Sequence, residues 1–200
     1  MKYVYLLPLF FIFISCKNQN LFTAQERELI MSGAVDEPFR VLQITNYEDS
    51  LFLRKECIDV HNYENDKVFQ HFIKRLECTL QTENGVGIAA PQVGIGRNVF
   101  LFMRLDLQNQ PVTVVINPRI TAIPDSTVCF ERDGCLSIPD FSGNSARYPW
   151  IDVEYNNLQG EKITEKLSGY SRKDGFTGII FQHEYDHTKG VLFIDKLCEL

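Results

Sequence analysis

Between Phe176 and His187 the side chains Phe176, Ile179, Ile180, His183 and His187 fall at i, i+3, i+4, i+7 and i+11, the spacing of a single helical stripe. The segment therefore predicts a helix whose apolar face packs inward and ends in two imidazoles one turn apart. Gly190 supplies its stop. A lone histidine on such a face is ordinarily a core residue satisfied by hydrogen bonds. Two at i and i+4 enclosing Glu184, in His183-Glu184-Tyr185-Asp186-His187, project from one side and can grip one metal ion. Glu184 lies about 100° further around the helix, beside the ligand face and within reach of a water at the ion.

Two imidazoles leave a tetrahedral site incomplete, because a catalytic centre takes three protein ligands and keeps its fourth position for water. Cys135 in Asp133-Gly134-Cys135-Leu136-Ser137 is the candidate third ligand: a thiolate binds zinc or ferrous iron strongly. Gly134 before it would permit close backbone approach, and Pro139 would end any regular strand soon after. Cys57, Cys78, Cys129 and Cys198 read as small buried hydrophobes. A third motif, Gly85-Val86-Gly87-Ile88-Ala89-Ala90-Pro91-Gln92-Val93-Gly94, follows a helix and lacks the third glycine of a dinucleotide fingerprint.

Taken in order and at these separations, Gly-x-Gly-x-Ala-Ala-x-Gln, Gly-Cys-Leu-Ser and His-Glu-x-x-His resemble the three signature motifs of peptide deformylases. The resemblance runs from about Arg40 to Leu197. It implies one divalent ion, usually ferrous iron and replaceable by zinc, held by Cys135, His183 and His187. It also implies Glu184 as general base and acid, Gln92 with the backbone N–H of Leu136 as oxyanion donors, and Val86 and Gly87 against the main chain of an N-formylated peptide. Glycine at 87 would be required because a side chain would block that approach.

Two positions depart from the family pattern. The residue before Gly134 is ordinarily glutamate, and Asp133 is one methylene shorter. If it pairs with Arg147, the loop carrying Cys135 must shift or the pair must weaken, so that Asp133→Glu would preserve or improve activity. Ser142 stands where a basic residue often helps to bind the peptide backbone.

Strand-like segments at Asn98 to Met103, Val112 to Ile116 and Trp150 to Tyr155 precede the histidine helix. A further helix capped by Asn65 or Asp66 carries the stripe Phe69, Phe72, Ile73, Leu76 and Leu80. The fold class is α+β, with antiparallel strands around a central helix carrying the metal motif. The first residues form a separate physical class. Lys2 precedes a largely apolar run from Tyr3 to Ile14, then Ser15-Cys16. That run is too short for a membrane span and fits a signal peptide ending in a lipoprotein-like cleavage box. The expected organisation is a signal peptide over 1–16 with lipidated Cys16, a linker over 17–37 and a catalytic domain over 38–200, monomeric and anchored at the cell envelope. Cysteine residues outside the metal site would then be free to form up to two disulfides, with pairing unreadable from sequence.

The net charge of −6, which becomes −7 without residues 1–15, disfavours nucleic-acid binding. The functional expectation is a metal-dependent hydrolase that removes N-formyl groups. A zinc endopeptidase shares the helix motif, but Cys135 and the Gln92 motif argue against it. An exported, peptide-binding relative with lost activity is the remaining alternative, to which Asp133 and Ser142 lend support.

Overall fold

A computed structural model describes residues 21–199. The expected signal segment and Cys16 lie outside these residues. The element order is α1 (Ala24–Met31), α2 (Tyr47–Leu53), α3 (Lys67–Thr82), β1 (Gly87–Ala89), β2 (Val99–Met103), β3 (Val112–Ala122), β4 (Val128–Cys135), β5 (Ile138–Arg147), β6 (Trp150–Asn156), β7 (Lys162–Ser168) and α4 (Thr177–Thr188). Every pairing between these strands is antiparallel. Five strands form one sheet in the order β1-β2-β3-β6-β7, and β4 pairs with β5 in a separate hairpin. The α+β expectation holds.

Strand β2 explains why the sheet sits between two helices. Its side chains alternate across the pleat: Val99 and Leu101 join the cluster built on the α3 stripe, while Phe100 and Phe102 join the cluster containing Ile180 and Phe181 of α4. Both faces are buried, so the strand reads as a continuous apolar run. Helix α3 begins where expected, with the Asp66 side chain accepting from the Phe69 N–H at 2.8 Å. Phe181 meets Phe100 and Phe102 edge-on at ring-centroid distances of 4.9 and 5.4 Å. Helix α4 is buried on nearly all sides, so its two histidines project into the interior of the protein.

The expected linker is corrected by the structure over residues 21–37. Thr23 and Glu26 close a capping box on α1, and Phe22 and Ile30 are buried in the α3 cluster. Glu26 also reaches across to the loop before β2, where its carboxylate accepts from Arg97 at 2.6 Å and from the Gly96 N–H at 2.9 Å. A charged residue within the expected linker is here a buried partner for another charge. The expectation for Cys129 and Cys198 is also corrected, since they form a disulfide joining β4 to the segment after a 3-10 turn at Phe193–Lys196. Cys57 is a buried free cysteine as expected, and Cys78 is partly exposed.

Candidate active site

The site lies where the tip of the β4–β5 hairpin meets α4. Cys135 ends β4, and its Sγ lies 3.2 Å from Nε2 of His187. With His183 these residues place three ligand atoms within 4.8 Å of one another, a spread that small rotamer adjustments close onto one ion. The donor chemistry fits a divalent metal: one sulfur and two imidazoles, with no fourth protein ligand grouped with them among the described residues. His183 Nδ1 faces Asp133 Oδ1 at 3.1 Å, which makes Nδ1 the protonated nitrogen and leaves Nε2 toward the cluster. Burial, the largest cause, holds the His187 imidazole well below its ordinary pKa.

Around these ligands the sequence candidates converge on a cleft of about 420 Å³, lined by Val86, Gly87, Gln92, Leu136, His183 and Glu184. Gln92 sits in the 3-10 turn Ala90–Val93, which carries Pro91 at its second position and which left-handed Gly94 ends. Its Oε1 accepts from the Ala89 N–H at 2.8 Å, so its Nε2 faces Ser137 Oγ at 3.3 Å and Cys135 Sγ at 3.5 Å. One backbone amide thereby orients the donor end of Gln92 toward the cluster. Glu184 is buried, its Oε2 has no partner among the described residues, and burial raises its pKa to about 7.

The structure gives two glycines different reasons from those the sequence suggests. A Cβ at Gly87 would lie 2.4 Å from Glu184 Oε1, so glycine there makes room for the carboxylate of the protein itself. At Gly134 a Cβ would meet nothing within 4 Å, and close approach is not its purpose. Nor does Pro139 end the strand, since it is the second residue of β5. Ser142 pairs with Gly134 across the hairpin and is exposed.

Asp133 does pair with Arg147, without loss. Its Oδ2 accepts from Arg147 Nη2 at 2.8 Å and from Ser145 Oγ at 2.6 Å, while Oδ1 serves His183. The shorter acid reaches because β4 slips its register between Phe130 and Asp133, with Arg132 left-handed at φ 53°. Burial would raise the pKa of Asp133, but the bond to His183 and the charge of Arg147 hold it well below the usual carboxylate range. Arg147 is buried and also donates to Asp186 Oδ2 at 2.6 Å, tying the hairpin to α4. Neither Asp186 nor Ser145 is singled out by the sequence. Asp186 lies inside the histidine motif, and its position one residue before His187 is the signal that could have found it.

A thiolate and two imidazoles beside a buried carboxylate and an oriented amide define a mononuclear metal centre. The family model described as Polypeptide deformylase matches residues 41–200. A peptide deformylase of Thermotoga maritima is 40% identical over 145 residues, covering 72% of this chain and 80% of that protein. A crystal structure of peptide deformylase from the same organism superposes with a TM-score of 0.69 at 34% identity, covering 82% of this chain and 99% of that one. A class I type b peptide deformylase from Acinetobacter baumannii with bound Met-Ala-Ser gives a TM-score of 0.69 at 30% identity, covering 81% of this chain and 99% of that one. The chain belongs to the polypeptide deformylase family, metal-dependent enzymes that remove the formyl group from N-formylmethionine peptides.

Two outcomes follow from this geometry. Cys135→Ala is expected to lose its metal, whereas Glu184→Gln retains metal and loses most turnover; metal analysis of the purified variants with activity assays checks both. Because Asp133 already meets three partners in a buried site, the structure reverses the expectation for Asp133→Glu. The added methylene overpacks the hairpin and misaligns His183, and kcat/KM should fall about tenfold. An unchanged or higher value would show that the bulge relaxes to admit it.

Proposed function

We propose that this chain is an active deformylase whose substrates are N-formylmethionyl peptides at the cell envelope. The observation that carries the activity is the convergence of Cys135, His183, His187, Glu184 and Gln92 Nε2 on one cleft. A divalent ion held by the thiolate and two imidazoles would supply Lewis acidity to the formyl group and to the attacking water, with ferrous iron the expected ion and zinc the alternative.

The rest of the chemistry belongs to the chain. Glu184 takes a proton from the water as its oxygen bonds to the formyl carbon. Gln92 Nε2 and the Leu136 N–H donate to the formyl oxygen as it gains charge. Glu184 then gives its proton to the amide nitrogen as the carbon–nitrogen bond breaks, leaving formate and a free amine. A buried carboxylate with a pKa near neutrality suits both transfers. Strand β1 lies at the sheet edge, and Val86 beside it is exposed to the cleft, which supports main-chain pairing with an extended peptide. The Met-Ala-Ser bound to the Acinetobacter enzyme supports the same class of ligand here. The net charge of −6 makes a polyanion such as nucleic acid an unfavourable partner.

Location rests on two features. The apolar run Tyr3 to Ile14 followed by Ser15-Cys16 supports export and lipid anchoring through Cys16. The Cys129–Cys198 disulfide supports an oxidising compartment.

Formate release from formyl-Met-Ala-Ser by the metal-loaded protein tests the activity. Gln92→Leu should lower kcat about 100-fold with metal content intact, because one oxyanion donor is worth roughly 3 kcal/mol. An unchanged single-turnover rate would assign Gln92 to the turn alone. Fractionation with mass spectrometry of the N-terminus tests the location: the expected result is lipidated Cys16 in the membrane fraction with Cys129 and Cys198 oxidised. Unprocessed Met1 in the soluble cytoplasm would overturn it.

A further inference from the structure

The two imidazoles of the site are oriented by different means. His183 has a carboxylate behind it, since its Nδ1 faces Asp133 Oδ1 at 3.1 Å. His187 has none: its Nδ1 is buried and has no hydrogen-bond partner among the described residues. Metal-binding histidines almost always donate their second ring nitrogen to an acceptor, which fixes the plane of the ring. Where that bond is missing, packing has to set the plane. The His183 ring supplies one such contact, meeting the His187 ring at a centroid distance of 5.1 Å and an interplanar angle of 68°. Nor does one hydrogen bond fix His183 completely, because an N–H···O bond tolerates about 30° of misalignment. A third ring stands near it. Phe193, 2% exposed, lies nearly parallel to His183 at 6.2 Å between centroids and 22° between planes. Phe141 lies nearly parallel to Phe193 in turn, at 5.9 Å and 20°. Phe193 also joins Ile138 and Leu192 in a small apolar cluster against which Cys135 packs, so that cluster borders ligands from both the hairpin and α4.

We infer that Phe193 is a positioning residue: its ring holds the plane of His183 and, through the edge-on contact, that of His187, so that both imidazoles stay directed at one ion. The inference rests on the reading of Cys135, His183 and His187 as a metal centre. The lone pair of an imidazole lies in the ring plane, so a ring that rocks takes the lone pair off the ion even while the bond to Asp133 is kept. The backbone under Phe193 is itself held. Phe193 opens the 3-10 turn Phe193–Lys196, in which Asp195 Oδ2 accepts from the Leu192 N–H at 2.9 Å and from Arg54. Lys196 Nζ donates to Asp186 Oδ1 of α4 at 2.7 Å, and Cys198 just beyond the turn is crosslinked to Cys129 of β4. A ring mounted on a turn tied to both ligand-bearing elements can serve as a fixed plate. Phe193 does not itself line the cleft, so its influence on the site passes through His183 and not through contact with a peptide. An aliphatic side chain would fill much of the same space without offering a flat face.

Loading the full chain with cobalt(II) tests this, because the visible absorption bands of the bound ion report its ligand geometry without any turnover. Phe193→Leu is expected to shift the cobalt bands and to release the ion to a chelator about tenfold faster than wild type, the size of effect that loss of an outer-shell partner has on a metal site. Leu192→Val removes a similar volume from the same cluster without touching a ring, and serves as the control for packing alone. It should lower the melting temperature of the metal-free chain about as far as Phe193→Leu does while keeping the wild-type bands and release rate. Should Phe193→Leu fail to fold, Phe193→Met, which fills the space with a flexible chain, is held to the same limits. Wild-type bands and a release rate within about twofold of wild type in the Phe193 variant overturn the inference, whatever happens to the melting temperature. Equal changes in the Phe193 and Leu192 variants overturn it too, since the effect would then be one of volume. If the wild-type chain binds no cobalt, the ligand set itself falls and the inference with it. Absence of formate release with the bands and rate changed as expected would instead overturn the proposed activity and leave Phe193 as a positioning residue.

Discussion

Arg147 is the residue on which the rest of the site depends. The hairpin that carries Cys135 forms no ladder with the five-stranded sheet, and what ties it directly to α4 is a set of side chains. Arg147, buried at 1% exposure, fixes it by donating to Asp133 on the hairpin and to Asp186 on the helix. Asp186 is held further by Lys196 Nζ at 2.7 Å. Charges taken from water this completely are tolerable only when each is paired and hydrogen-bonded, and removing one partner strands the others. Such a cluster adds little to stability compared with apolar packing of the same volume. What it supplies is direction: the carboxylate of Asp133 that satisfies Arg147 also sets the ring nitrogen of His183. Charge balance in the interior and the orientation of a ligand are thus one constraint.

The parts of this arrangement legible in the sequence are those carried by periodicity or by residue chemistry. The α3 stripe and its Asp66 cap, the histidine helix with its glycine stop, and the three motifs need only local spacing. Other parts depend on distant partners. Helix α1 reads as linker because Glu26 gains its meaning from Arg97, 71 residues away. Strand β4 hides because its burial does not alternate, a consequence of register slips on both sides of Asp133 and Gly134. Asp133 reads as a defect for the same reason: its reach depends on a left-handed Arg132, and a non-glycine residue in that conformation leaves no trace in composition. Gly87 is legible as a required glycine while its reason is not, since the group it makes room for is Glu184, 97 positions further on.

The crosslink between Cys129 and Cys198 bears on how the molecule matures. Cys129 and Cys135 stand on the same strand, one crosslinked to Cys198 and the other a free cysteine placed where a metal ion could sit. An oxidant meeting the extended chain has no chemical basis for telling them apart. Folding provides one. Closure of the hairpin onto α4 places Cys135 against His187 at its tip, whereas Cys129 near its base meets Cys198 only when the C-terminal segment docks along β5, with the Cys198 N–H donating to the Asn144 carbonyl at 3.0 Å. The two sulfurs are sorted by the surroundings the fold gives them, and an ion seated at the tip would act as a protecting group for one thiol while its neighbour is oxidised.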